Sequence, residues 1–395
     1  MSPNWHMPPQ NGGQWEASCA QSPTAPPDGG TVAWLFVFAA FPLLFTTWGP
    51  SMSAGVFQDF YQRKLLAGYS PSVISWIGTV NSAFLISTGV LAGPLFDRGF
   101  VRHLMVLGSI MVVFGQMMLS LSTSYYQIML SQGFCVGIGA GLIYVPAITM
   151  VNTQFATKRA LAMGIVTSGA SLALPFLFLG KPVPKPKNVR SIIHWHALKE
   201  FTFCAYRVGN FLIFMGYFIP LFYVPSFALG YLGTSQELGF GLLAALNGAS
   251  LFGRIGSALL SPRFGVSRSL LGAVVVSSIA CFVWMGINSL AGFVAFCLLF
   301  WFFSGVLISA NPIFVAHPVI SPTFSVIGTR LGMQWFATSL GVLVGAPIAG
   351  ALGDAGTGDS FMKLQGLSGA MMLGGAILLM VPLMAFWKHD RKGRA

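Results

Sequence analysis

Arg254 stands inside a run of apolar residues that extends from about 238 to 261. A guanidinium placed at the centre of a bilayer costs of order 3 kcal/mol on insertion scales. Its chemistry is narrow: always protonated, donor only, and shaped to receive a carboxylate, a phosphate or another delocalised anion. It precedes Arg263 by nine residues, or roughly 13 Å of helix at about 1.5 Å per residue. Position alone therefore leaves two readings open, a side chain facing an internal cavity and one that snorkels to the interface. Asn247 and Asn311 carry amides in similarly apolar runs, and their cost in lipid ranks them with Arg254 as candidate substrate-binding groups. Nothing points to catalysis. The five cysteines show no metal spacing and His194-Trp195-His196 reads as incidental, so neither an enzyme, a metal nor a cofactor is expected. The absence of a G-x-x-x-x-G-K-[ST] loop excludes an ATP-driven pump.

These residues must be positioned by helices in lipid. Of 395 residues, 55% are hydrophobic and 8% charged, whereas a soluble domain carries about 25% charged residues. The net charge of +12 does not mark a nucleic-acid partner, because the basic residues sit in short clusters between apolar runs, as they do where they orient a polytopic protein in a bilayer. Residues 1–30, rich in Pro, Gln, Ser and Gly, are expected to be a disordered tail without a signal peptide. Apolar runs predict spans at roughly 33–58, 72–95, 102–121, 124–149, 160–180, 203–232, 238–261, 268–287, 290–314, 325–351 and 366–387. The expected organisation is an incomplete N-terminal helical bundle over 31–180, a basic cytoplasmic linker over 181–200, a C-terminal six-helix bundle over 201–387, and a basic tail over 388–395. Within the fourth span, Gly133, Gly137 and Gly141 share one helical face and read as a close-packing surface.

Cytoplasmic loops gather Lys and Arg. Arg98, Arg102, Lys158, Arg159, the five basic residues of the linker, Arg263, Arg268, Arg330 and the C-terminal cluster fit one side, against Arg63, Lys64 and Lys363 on the other. One segment breaks the pattern. The 160–180 run has basic clusters at both ends, and a single span cannot begin and end on the same side.

The stretches Asp28-Gly29-Gly30 with Trp34, Gly55-Val56-Phe57-Gln58-Asp59, Gly93-Pro94-Leu95-Phe96-Asp97-Arg98 and Lys158-Arg159-Ala160-Leu161-Ala162-Met163-Gly164 with Ser168-Gly169 follow one another in the first half. Asn247-Gly248-Ala249-Ser250 with Gly253-Arg254, Gly328-Thr329-Arg330-Leu331-Gly332-Met333 and Gly345-Ala346-Pro347-Ile348-Ala349-Gly350 follow in the second. In this order they resemble the fungal monocarboxylate-porter-like branch of the major facilitator superfamily, from about Asp28 to Trp387. The resemblance implies an all-α polytopic membrane protein with a two-bundle fold, working by alternating access. It also implies twelve helices where the apolar runs give about eleven, the shortfall lying between Leu172 and Lys181, at the end of helix 5 and the start of helix 6.

By the same resemblance Arg254 binds an anionic substrate, Trp48, Tyr144, Tyr217, Tyr223 and Asn311 are candidates to line a central cavity, and Asp97 with Arg98 form a gating latch in which Gly93 permits close helix approach. The chain departs from the lactate-carrying branch at Ser250, where that branch tends to have Asp, and in span 1, where it tends to have Lys. The expected function is a secondary transporter of an organic anion or a carboxylated small metabolite, tilted toward efflux of a bulkier amphipathic compound. The alternative is a truncated, non-transporting variant. The expected location is multi-pass in the plasma membrane, with the vacuolar membrane as the other choice, and the expected partners are the small molecule and the lipid bilayer.

Overall fold

The computed structural model describes residues 30–152, 162, 165–166, 195–235, 238, 242, 245–246, 248–257, 265–315, 317–321, 324–352 and 358–392. The N-terminal tail, the junction between Leu172 and Lys181, most of the 181–200 linker and Asn247 lie outside them. Within a bilayer the backbone must satisfy its own hydrogen bonds, and among the described residues all regular structure is helical. The elements are α1 (Thr31–Met52), α2 (Ala54–Phe60), α3 (Pro71–Asp97), α4 (Val101–Leu121), α5 (Tyr125–Ile128), α6 (Gly137–Asn152), α7 (Phe201–Gly230), α8 (Val266–Trp284), α9 (Leu290–Val315), α10 (Phe324–Leu352) and α11 (Gly358–Lys392). A π-helical stretch, Met129–Val136, joins α5 to α6. Residues 248–257 are helical and carry Arg254. Among the described residues nine helices are long and apolar enough to cross a membrane. They correspond to nine of the eleven expected spans; of the remaining two, 160–180 falls almost wholly outside the described residues and 238–261 is described in part, chiefly over 248–257.

Local chemistry sets the helix ends. Ser70 caps α3, its Oγ accepting from the Val73 N–H at 3.4 Å, with Pro71 in the first turn. At the other end Gly99 takes φ 88°, a conformation that stops the helix after Arg98. The Gln127 side-chain oxygen accepts from the backbone N–H groups of Thr123 and Ser124, which starts α5.

Glycines decide how closely the helices approach. The Gly133, Gly137 and Gly141 face packs on α3: a Cβ at Gly137 would lie 2.8 Å from the Asn81 carbonyl oxygen, and one at Gly141 would lie 2.8 Å from that of Leu85. In the C-terminal part, a Cβ at Gly253 would run into the carbonyl of Phe302 on α9, and one at Gly305 on α9 would run into that of Ser250. The helical segment bearing Arg254 and α9 therefore cross backbone to backbone. At Gly93 no atom of the described residues lies within 4 Å of a Cβ built there.

Helices from before and after the linker meet along a seam. The N-terminal end of α3 lies against the C-terminal end of α10: Ser72 Oγ donates to the Pro347 carbonyl at 2.9 Å, and a Cβ at Gly350 would lie 2.9 Å from Ser72 Cα. Beside it α2 packs on α7, where a Cβ at Gly55 would lie 2.7 Å from the Leu221 oxygen and 2.9 Å from Pro225. The Tyr223 hydroxyl donates to the Ala346 carbonyl at 3.1 Å. Gln58, Tyr61, Gln132 and Phe222 line a cavity of about 10 Å³ in this seam, room for the centre of one water molecule.

Arg330 corrects the charge count. It was assigned to a cytoplasmic cluster, but it lies within α10, is 1% exposed, and makes a bidentate pair with Glu200 at 2.6 and 2.5 Å. It also donates to the Ile320 carbonyl and lies over the Phe203 ring at 5.4 Å. An arginine spent on an internal ion pair does not act as a loop charge. The pair ties the residue that precedes α7 to the start of α10.

Two outcomes follow from these contacts. Gly253→Ala and Gly305→Ala each force the crossing apart and are expected to destabilise the fold by about 1–3 kcal/mol, seen as a lower melting temperature in detergent. The hydrogen bonds from Arg330 hold the Glu200 carboxyl below its ordinary value of 4.5. A carboxylate lowered by folding contributes stability that is complete above the ordinary value and is lost as the pH falls through the lowered one. Melting temperatures recorded from pH 7 to pH 3 should therefore fall more steeply below pH 4.5 for the wild type than for Glu200→Gln.

Candidate functional site

Arg254 is 2% exposed, so the guanidinium lies inside the protein and does not snorkel along a lipid-facing surface. The Gly253 and Gly305 crossing puts its backbone against α9. Two tyrosines stand within electrostatic reach of the charge, Tyr144 on α6 and Tyr217 on α7. They come from opposite sides of the linker, so the guanidinium sits where the two parts of the chain meet.

Trp48, on α1, is buried and meets Tyr144 edge-on with ring centroids 5.5 Å apart and planes at 66°. Tyr217 is clamped by aromatics of its own part of the chain: its ring stacks on Phe300 of α9 at 6.0 Å and meets Phe214 and Phe218 edge-on at 5.8 and 5.3 Å. Arg254, Tyr144, Trp48 and Tyr217, all expected at the site from sequence, are therefore brought together. The arrangement offers a fixed positive charge, phenolic hydroxyls and flat apolar walls. It can hold an anion joined to an aromatic or otherwise flat body.

Asn311 is placed elsewhere. Its Nδ2 donates to Asn210 Oδ1 at 2.5 Å, the Asn210 Nδ2 donates to the Tyr206 carbonyl at 3.0 Å, and the Tyr206 hydroxyl donates to Asn311 Oδ1. This closed network bridges α7 and α9, and Asn311 is 1% exposed. Its amide is spent on holding helices together. Asn247 lies outside the described residues, as does the side chain of Asp97. Arg98 is exposed at the end of α3, where its backbone N–H donates to the Pro94 carbonyl at 3.1 Å.

Several polar residues escaped notice in the sequence. Asn210 and Tyr206 complete the Asn311 network, and their spacing of four on one helix was the available signal. Asp59 is the buried carboxylate at the end of α2, one oxygen 2.8 Å from Arg63 Nε and the other buried without a partner. Its neighbour Gln58 is 2% exposed and faces the cavity that has room for one water.

Comparison with known proteins gives the arrangement a context. The profile described as Major Facilitator Superfamily matches residues 30–179. The MFS-type transporter dbaD of Emericella nidulans is 35% identical over 376 residues, covering 85% of this chain and 84% of the relative. The aspyridones efflux protein apdF of the same organism is 32% identical over 415 residues, covering 96% and 84%. The fujikurins efflux protein of Gibberella fujikuroi is 32% identical over 394 residues, covering 90% and 83%. Among solved structures, the human organic anion transporter MFSD10 superposes with a TM-score of 0.61 at 16% identity, covering 88% of this chain and 97% of that one, a likeness of fold. With relatives of this identity and coverage, and with its apolar helices, the chain belongs to the major facilitator superfamily and is a multi-pass membrane transporter.

Proposed function

We propose that this transporter is a secondary carrier that moves an organic anion, a carboxylated or similarly acidic small metabolite, by alternating access, and that it exports the compound. The observation that carries the proposal is the buried Arg254 guanidinium between a tyrosine of α6 and a tyrosine of α7. A group bound there touches both parts of the chain at once, as alternating access requires of a central ligand. Buried hydrogen bonds to a charged partner contribute about 1.5–3 kcal/mol, so a carboxylate on Arg254 gains roughly 10- to 100-fold in affinity over a neutral analogue.

The efflux direction is supported by relatives named for the export of aspyridones and fujikurins. The same names give no support to a non-transporting variant. The plasma membrane is the proposed location, since export ends there, with the vacuolar membrane as the alternative. Trp48 and Tyr144 would flank the substrate, while Asp97 and Arg98, at the end of α3, would act in gating and not in binding.

The test is uptake into proteoliposomes of a panel of labelled aromatic and aliphatic carboxylates. The wild type should show saturable flux of at least one. Arg254→Ala should lose it by roughly 10-fold or more, and Arg254→Lys, which keeps charge but not the planar fork, should fall between. Absence of saturable flux for every carboxylate, or an Arg254→Ala variant that matches the wild type, would sink the proposal.

A further inference from the structure

A short helical turn, Trp195–Lys199, leads into α7, and Ala197 is its buried residue. Trp195 and Phe201 are 71 and 75% exposed, and Leu198 between them is exposed as well. Large aromatic side chains that open outward at the start of a spanning helix mark the level of the lipid headgroups. Val208, seven residues after Phe201 and also exposed, continues the stripe into the bilayer. Arg207 stands about 100° round the helix from Val208, where this stripe gives way to the packed face. Its side chain runs back toward the start of α7, as helical side chains do, and the guanidinium lies over the Phe203 ring, one turn nearer the linker, at 5.7 Å. That brings the charge close to the depth of Phe201. The Arg207 Nε is buried and has no hydrogen-bond acceptor among the described residues.

The acid that could answer it is already taken. Glu200 is the only acidic residue between Asp97 and Glu237, and Arg330 holds both of its oxygens at 2.6 and 2.5 Å. Arg330 also lies over the Phe203 ring, at 5.4 Å, so two guanidiniums share one ring and one carboxylate. The Cys204 thiol is turned to the Leu198 carbonyl at 3.0 Å. Lys199, exposed on the turn before α7, adds a further positive charge. We propose that this end of α7 binds an anionic phospholipid: the headgroup phosphate accepts from Arg207, Lys199 favours a headgroup of net negative charge, and the acyl chains lie along Phe201 and Val208. Charge and apolar surface together select this occupant. A soluble anion gains nothing from the exposed aromatics, and a zwitterionic lipid brings its own cation to a place already in positive excess. The site opens on the lipid-facing surface, so the proposal does not rest on Arg254. A lipid bound there stabilises the folded protein by mass action.

The experiment measures equilibrium binding of acyl-labelled dioleoylphosphatidylglycerol to the full-length protein in detergent, with dioleoylphosphatidylcholine and glycerol phosphate as competitors. The two lipids have the same acyl chains, so their difference reads the headgroup. The wild type should bind phosphatidylglycerol saturably, gain in melting temperature on binding it, and need about 10-fold more phosphatidylcholine to displace it. Arg207→Gln should raise the Kd for phosphatidylglycerol about 10-fold and Lys199→Gln about 5-fold, both leaving phosphatidylcholine unchanged. Arg102→Gln, which removes an exposed charge at the start of α4, should leave both lipids unchanged. A merely structural Arg207 would lower the melting temperature of the lipid-free protein and weaken both lipids alike, which overturns the proposal. Equal binding of the two lipids by the wild type overturns it too. Displacement by glycerol phosphate as readily as by unlabelled phosphatidylglycerol marks a soluble-anion site and overturns the lipid assignment. Should Arg207→Gln fail to fold, Lys199→Gln decides, and an unchanged Kd there overturns the proposal.

Discussion

Polar groups held in a bilayer have no water to fall back on, and the guanidinium of Arg254 is the most demanding of those described here. Its position constrains its surroundings in sequence order. The helical segment that bears it must reach the middle of the protein, so it crosses α9 at Gly253 and Gly305, where any side chain would meet a backbone carbonyl. Among the described residues, the tyrosines near it tolerate a positive charge through their oxygens and electron-rich rings.

The same shortage of water explains the other buried polar residues. Pro220 in α7 has no N–H, which leaves the Gly216 carbonyl without its helical partner. Ser368 of α11 supplies the missing hydrogen bond at 2.8 Å. Asn81 accepts from Ser51 Oγ at 2.8 Å and donates to the Gln132 carbonyl at 2.7 Å, joining α1 and α3 to the π-helical stretch ahead of α6. Hydrophobic burial discriminates poorly between one helix pairing and another when lipid tails are as apolar as the core. Glycine contacts and these hydrogen bonds therefore carry much of the information about which helix neighbours which.

That division explains what could be read in the sequence. Apolar runs bounded by charge or proline gave nine described spans to within a few residues, because length and hydropathy are local properties. α1 was the exception in detail: the run to 58 breaks at Ser53 into α1 and α2, which no composition marks. Arg254 was legible because a charge in an apolar run is costly whatever surrounds it. Asn311 shows the limit of that logic. Its cost in lipid was read correctly as a reason for a partner, but the partners, Asn210 and Tyr206, lie about a hundred residues away and only the folded chain brings them together. Arg330 and Glu200 pair over 130 residues, and each alone resembles an ordinary loop charge.

The seam between the two parts of the chain is satisfied unevenly, and this bears on how a carrier moves. Ser72 has a carbonyl partner across it, and Gly55 and Gly350 let the backbones touch. Beside these contacts, Gln58 faces the cavity that has room for one water, and Asp59 buries one carboxylate oxygen without a protein partner. A buried unmatched polar atom costs about 1–3 kcal/mol that is recovered once water reaches it. The contacts and the unmatched atom therefore pull the seam in opposite directions, and opening at Asp59 returns part of what breaking the Ser72 bond takes away. A protein selected only for stability would fill this position with leucine. A transporter whose two conformations must both be populated needs their free energies within a few kcal/mol of each other, and a seam that is well packed but incompletely hydrogen-bonded meets that condition without weakening the helices on either side of it.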